Sequence, residues 1–373
     1  MTRTLIDIHI LQTVPPSNLN RDDTGSPKTA VYGGVRRARV SSQAWKRATR
    51  VAFDDVLDRS ELGVRTRRVV EVLAGEIASR ASELSESAND LAIKVMDAVG
   101  IKVKPPKKDL TEEAGYLVFL SRNQITALAE AAIAAAGADD IAAALREAKV
   151  KDLANRAHSV DVALFGRMVA DQVDLNVDAA VQVAHAISVH PVETEFDYFT
   201  AVDDAIGDDE TGAGMIGTVE FNSATLYRYA TIDVDRLQDN LGDAEATRRA
   251  VEAFISSFVR SMPTGKQNTF ANRTLPEAVI VLVRDSQPIN LVGAFESPVR
   301  ESNTVGRVKR AVDVLLEEAK EIERAYGETP AHGWVTRVGS DTELLRELGA
   351  DVPFAELVTE VGETVRDRLG DGS

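Results

Sequence analysis

Cysteine is absent from this chain of 373 residues. Its absence excludes disulfides, thiolate chemistry and cysteine-ligated zinc together. Histidine is scarce: His9, His158, His185, His190 and His332 show no zinc-ligand spacing, and there is no HExxH motif. His185, inside the apolar run AHAISV, reads as a packed, hydrogen-bonded side chain. No apolar run approaches the roughly 18 residues of a membrane span. The N-terminus lacks the basic–apolar–small pattern of a secretory signal, so a cytoplasmic protein with no membrane partner is expected. No cofactor motif is present, and none is expected to be bound.

What remains is ordinary globular material, 44% hydrophobic and 27% charged, long enough for one elaborated domain or two. The net charge of −16 argues against general polyanion binding, but its distribution is uneven. Residues 1–50 carry nine Lys/Arg against three Asp/Glu, a balance of +6, which leaves −22 on the rest. A basic N-terminal module on an acidic body fits a localised anion site.

Ile6, Ile8 and Ile10 alternate with Asp7 and His9, the pattern of a strand with one buried side. Residues 12–40 read as a loop, and a helix is expected from Ser41 or Ser42 to about Leu57. Residues 59–180 read as mostly helical, with an alanine-rich stretch at 127–148. Strands are expected at 184–189, 193–200, 219–233, 278–283 and 290–295, with a Gly- and Asp-rich loop at 203–217. An amphipathic helix spans 243–261, and the tail from Arg300 reads as helical, interrupted at Pro330 and Pro353. Without the helical insertion the order is that of an α+β, ferredoxin-like βαββαβ fold of the RRM type.

The densest chemical signal is the segment 18–50. On a helix starting near Ser42, Gln43, Lys46, Arg47 and Arg50 form one polar stripe, while Trp45 and Ala48 face the other way. Ser41 and Ser42 mark a helix N-terminus able to receive an anion, and Arg36, Arg37 and Arg39 arrive just before it. Gly33-Gly34 would let a backbone approach closely. Phosphate binding is the favoured reading, because only converging cations compete with water for a phosphate. The alternative is a solvated face paired with the acidic body. A second candidate is the turn PTGKQ, with Lys266 and Gln267, which lacks the glycine spacing and the Ser/Thr of a nucleotide-hydrolysing loop. The acidic run within 203–210 reads as a solvated loop, and Asp22-Asp23 as partners of nearby arginines or loop N–H groups.

LNRDD, GGVRRARVSSQAWKRATR, DVALFGRM, AHAISVHPVETEFDYFTAVDD, GTVEFNSATLYRYA and PTGKQ occur in this order over residues 1–270. Together they resemble the CasC backbone family of the type I-E CRISPR Cascade complex. The resemblance implies a non-catalytic subunit stacked in several copies along the CRISPR guide RNA, meeting other Cascade subunits and, through the guide, the target DNA strand. It implies an RRM-like palm (1–58 and 182–373), a helical finger (59–181) and a thumb hairpin (190–222). Carried onto matching positions, it places Arg21, Lys28, Ser41, Gln43, Lys46, Arg47, Arg50, Lys266 and Gln267 at the guide, with Arg167 and Met168 from GRM, Met168 wedging bases apart. The RNP aromatics of an RRM are missing from the first strand, where Asp7 and His9 hold the outward positions, so the loop–helix site is expected to carry the binding. The competing reading is an RRM-like RNA endonuclease using His9 or Asp22.

Overall fold

A computed structural model of the chain describes residues 3–104, 113–169, 172–202, 213–300 and 305–370. Contacts divide the chain into one unit of residues 1–52, 182–233 and 252–373, and a second of 53–181 and 234–251. The chain starts with β1 (Leu5–Ser17), β2 (Thr29–Tyr32), β3 (Val35–Val40) and α1 (Ser42–Ala52). The second unit contains α2 (Val69–Arg80), α3 (Ala88–Val99) and α4 (Arg122–Ala135). β4 (Ala186–Ser188), β5 (Glu195–Val202) and β6 (Ala213–Asp233) follow, then α5 (Ala244–Arg260) and β7 (Ala278–Arg284). α6 (Arg307–Tyr326), β8 (His332–Arg337), β9 (Ala350–Asp351) and α7 (Phe354–Gly370) complete the order.

One mixed sheet organises the first unit, in the order β9–β8–β7–β1–β6–β4–β3–β2. Neighbours are antiparallel except β8 and β9. β1 is central, pairing with β6 from Leu5↔Asp233 onward and with β7 from Leu5↔Arg284 to Leu11↔Ala278. The far half of β6 extends as a ribbon with β5, from Glu195↔Phe221 to Val202↔Ala213.

The expectation of a single buried side on β1 does not hold: Asp7 and His9 are as fully buried as Ile6, Ile8 and Ile10. Leu11, Tyr227, Tyr229, Ile280 and Leu282 on that second face pack under Leu291, Phe295 and the α6 residues Val312 and Leu315. The polar groups there survive burial only because they pair with one another. Asp7 accepts from Tyr229 Oη (2.7 Å), Arg284 Nε (2.8 Å) and Ile289 N (2.9 Å). Burial still raises its pKa against these bonds. His9 Nδ1 lies 2.9 Å from Tyr227 Oη, and burial lowers its pKa to about 3, so the ring is neutral.

Four further expectations are corrected. Residues 29–40 form a hairpin rather than a loop, because Gly33 (φ 58°) and Gly34 (φ 76°) supply the two positive-φ residues of a tight two-residue turn. A Cβ on Gly33 would fall 1.7 Å from the Glu296 carbonyl oxygen, so no other residue fits there. Leu291–Phe295 is a 3-10 turn, since the Asn290 side chain accepts from Val292 N (3.0 Å) and caps it. Within the tail expected to be helical, β8 instead extends the sheet along β7, burying Trp334 and Val335. The loop expected at 203–217 is strand from Ala213, and 203–212 lies outside the described residues.

The second unit is helical around Leu73, Ile77, Leu91, Val95 and Leu128. Small two-stranded ladders, 63–66 with 118–121 and 103–104 with 113–114, border it. Among the described residues no helix is long and apolar enough to cross a membrane.

Candidate nucleic-acid interface

Asn20 ties the 18–28 loop to the start of α1. Its side-chain oxygen accepts from Ser41 N (2.9 Å), and its backbone carbonyl accepts from Lys28 N (2.8 Å). Ser41 is itself buried, its hydroxyl accepting from Ala44 N (3.3 Å) as a cap. Within the loop, Asp22 Oδ1 accepts from the Thr24 hydroxyl (2.7 Å), Thr24 N (2.9 Å) and Ser26 N (3.0 Å). The Thr24 hydroxyl foremost, helped by these N–H groups, lowers the Asp22 pKa. The carboxylate therefore holds the shape of its own loop, and among the described residues it has no arginine partner.

The PTGKQ turn, far away in sequence, joins this loop. A Cβ on Gly265 would lie 2.3 Å from the Leu19 carbonyl oxygen and 2.6 Å from that of Asn18. Only glycine permits that approach, which brings the turn that carries Lys266 against the loop that carries Arg21. An open cleft of about 550 Å³ results, lined by residues 19–25 and Gly265. Gln267 is exposed at the start of a short turn of helix.

α1 is anchored by Trp45, which is fully buried, with the Arg228 guanidinium 3.7 Å over its ring. Anchoring that face turns the polar stripe outward: Gln43 and Arg47 are exposed, and Ser42, Lys46 and Arg50 are half-buried. Burial of its surroundings lowers the Lys46 pKa.

The β2–β3 hairpin separates its arginines. Arg36 is exposed and Arg39 half-buried, with Arg39 Nε donating to Thr29 O (3.1 Å). Arg37 corrects the sequence reading: it is fully buried, and its guanidinium donates to the carbonyls of Tyr32 (3.1 Å), Ser188 (3.0 Å), Phe295 (2.8 Å) and Glu296 (3.3 Å). Alternation along the strand sends Arg36 and Arg37 to opposite sides, so Arg37 is a buried structural residue whose guanidinium is engaged by backbone carbonyls. His185 is also corrected, being exposed, with Nδ1 3.3 Å from Arg39 Nη1. Burial, then Arg39 and Lys28, lower its pKa.

Among the described residues, Arg21, Lys28, Arg36, Arg39, Lys46, Arg47 and Lys266 make no ion pair. The ion pairs present belong to other lysines and arginines. The acidic excess of the body does not neutralise this surface. Its field is left available to a mobile anion.

In the second unit, Arg167 is likewise corrected. It is buried, with Nε donating to Leu175 O (2.6 Å) and Nη2 to Asn155 Oδ1 (2.8 Å), so it cannot reach a ligand. Met168 beside it is 82% exposed. His9 lies in the core, and Asp22 Oδ1 accepts the bonds of its own loop. Among the described residues no group of three His, Asp or Glu side chains could hold a metal ion.

Sequence reasoning missed Asn20 and Gly265, whose parts depend on contacts between distant segments. It also missed the aromatic exposure of β5, where Phe196 and Tyr198 are 67% and 64% exposed. The alternation in EFDYFT was the available signal.

A family model described as "CT1975-like protein" matches residues 6–360. Among solved structures, a chain of a "CRISPR RNA-guided surveillance complex, pre-nicking" is similar, with 35% identity and a TM-score of 0.85. That match covers 97% of this chain and all of the other. A chain of a second "CRISPR RNA-guided surveillance complex" matches with 30% identity and a TM-score of 0.72, over 96% of this chain and 99% of the other. No match is found among curated proteins.

Proposed function

The chain belongs to the CT1975-like protein family, and from that premise we propose that it is the guide-RNA-binding backbone subunit of a type I-E Cascade surveillance complex. It is a component of a CRISPR surveillance complex, as its relatives are. The observation that carries the backbone role is the basic surface built from Arg21, Lys28, Arg36, Arg39, Lys46, Arg47 and Lys266, none of them ion-paired among the described residues. Its donors come from loops, one strand of the β2–β3 hairpin and one helix face, as suits a protein that must follow any guide sequence by its phosphates and sugars. Sequence is then read by pairing of the guide with the target DNA strand.

The palm is the first unit. Its strand order β7–β1–β6–β4, with α1 and α5 between the pairs, supports a ferredoxin-like, RRM-type frame. The usual RRM stacking face is closed by α6, which leaves the loop–helix edge for RNA. The second unit is the finger, presenting Met168 to the guide. The β5–β6 ribbon is the thumb, reaching a neighbouring copy. Copies repeat along the guide, the other Cascade subunits cap the assembly, and this subunit itself performs no cleavage in the cytoplasm.

The test is co-expression with the partner subunits and a CRISPR array, followed by purification. A protected RNA of defined length in a multi-copy assembly is the expected result. An RNA-free monodisperse protein would overturn the proposal, and guide cleavage by the purified protein would move it to an endonuclease.

A further inference from the structure

Met168 is an odd surface residue. It is a flexible apolar side chain at 82% exposure, yet both its neighbours are interior, Arg167 at 5% and Val169 at 2%. Backbone bonds clamp it on each side. Arg167 N donates to Val177 O (2.9 Å), Val177 N donates back to Arg167 O (2.8 Å), and Val169 N donates to Asn176 Oδ1 (2.6 Å). Gly166 precedes it with φ 77°, and a Cβ there would meet the Val177 carbonyl oxygen at 2.7 Å. An apolar side chain held out on a fixed backbone is placed for contact, because the backbone is already ordered and only the side-chain rotamers remain to be fixed.

The clamp converges on the Arg167 guanidinium. Besides Leu175 O and Asn155 Oδ1, it donates to Phe119 O (3.3 Å) and Gln124 Oε1 (3.4 Å). Four separate segments of the second unit thus meet on one planar fork. Among the described residues no carboxylate pairs with it, and the nearby His158, its pKa lowered to about 4 by burial and then by Arg167, adds no charge at neutral pH. A buried cation without a counterion is a poor choice for stability alone. A lysine offers three donors from one point and cannot span these acceptors, whereas the guanidinium does.

We infer that Arg167 is a positioning residue, whose buried guanidinium fixes the 166–169 turn so that Met168 stands out at a set place against the guide RNA. This rests on the proposed placement of Met168 at the guide. Arg167 never touches the RNA; it determines where the wedge is.

The experiment uses the assembled complex purified with its guide, probed by permanganate, which oxidises unstacked pyrimidines. The wild-type assembly is expected to show periodically enhanced reactivity along the guide, and Met168→Ala to reduce that enhancement at least threefold. Arg167→Met and Arg167→Lys should reduce it as much, with the RNA content per protein unchanged. A merely structural role would lower the yield of assembly but leave the reactivity pattern of surviving complexes intact, and that result overturns the inference. An unchanged pattern in Met168→Ala would instead overturn the underlying placement of Met168. Should the Arg167 variants fail to accumulate, Asn155→Ala removes one bond from an exposed partner. A partial loss of periodicity supports the inference, and an intact pattern overturns it.

Discussion

The Arg228 guanidinium lies 3.7 Å above the Trp45 indole, and both side chains are fully buried between the sheet and its helices. Arg228 also donates to Gln12 Oε1 (2.6 Å) and to the Phe258 carbonyl, so a cation on β6 bonds to β1 and α5 and stacks on α1. The contact packs the buried face of α1 against β6, which leaves the polar stripe on the opposite, outward side. Trp45→Ala should therefore reduce stability by about 3–5 kcal/mol. Urea unfolding checks it, with Trp45→Phe expected to recover part of the loss.

Surface cations should behave in the opposite way. Lys46→Ala with Arg47→Ala is expected to leave the unfolding midpoint unchanged and weaken RNA binding for every guide sequence. Each lost phosphate contact should flatten the dependence of log affinity on log salt by about 0.7. Filter binding of single-stranded RNA across a salt series measures it, and an unchanged slope would place the groove elsewhere.

Neighbouring arginines give a sharper contrast. Arg36→Ala should lower RNA affinity with little effect on folding. Arg37→Ala strips four carbonyls of their donor and should destabilise the protein by about 2–4 kcal/mol. Thermal unfolding and RNA titration of the two variants together distinguish a contact residue from an anchor.

Gly265→Ala puts a methyl group 2.3 Å from the Leu19 carbonyl oxygen. The turn and the 18–25 loop must then part, at a cost of about 1–3 kcal/mol. RNA affinity should fall as the turn carrying Lys266 moves off the 18–25 loop, measured against Lys266→Ala as the reference.

Acid should loosen the core through His9. Its pKa is about 3 in the fold against an ordinary value of 6.5. Between these values the unfolded chain takes up a proton that the folded chain refuses. The stability this imidazole allows is thus complete above pH 6.5 and is lost progressively as pH falls toward 3. Urea midpoints at pH 7 and pH 5 should differ less in His9→Phe than in the wild type.

By itself the sequence determined the periodic elements and where basic residues concentrate. Ile6, Ile8 and Ile10 mark the central strand, and the Gln43–Lys46–Arg47–Arg50 spacing with Trp45 opposite marks an amphipathic helix, because both patterns are set by local backbone geometry. The concentration of positive charge in residues 1–50 was equally plain. Tertiary structure alone decided which charges reach solvent. Arg36 and Arg37 are adjacent and chemically identical, yet carbonyls of Ser188, Phe295 and Glu296 surround one and none of these surrounds the other. The same holds for Arg167 and Met168, where a nominal ligand is buried and the apolar residue beside it is exposed. Asp7 and His9 were read as outward for want of any local sign that α6 covers their face. Gly265 joins Leu19 across some 245 positions of chain. Burial and long-range approach come from contacts between distant segments, and no window along the chain contains both partners.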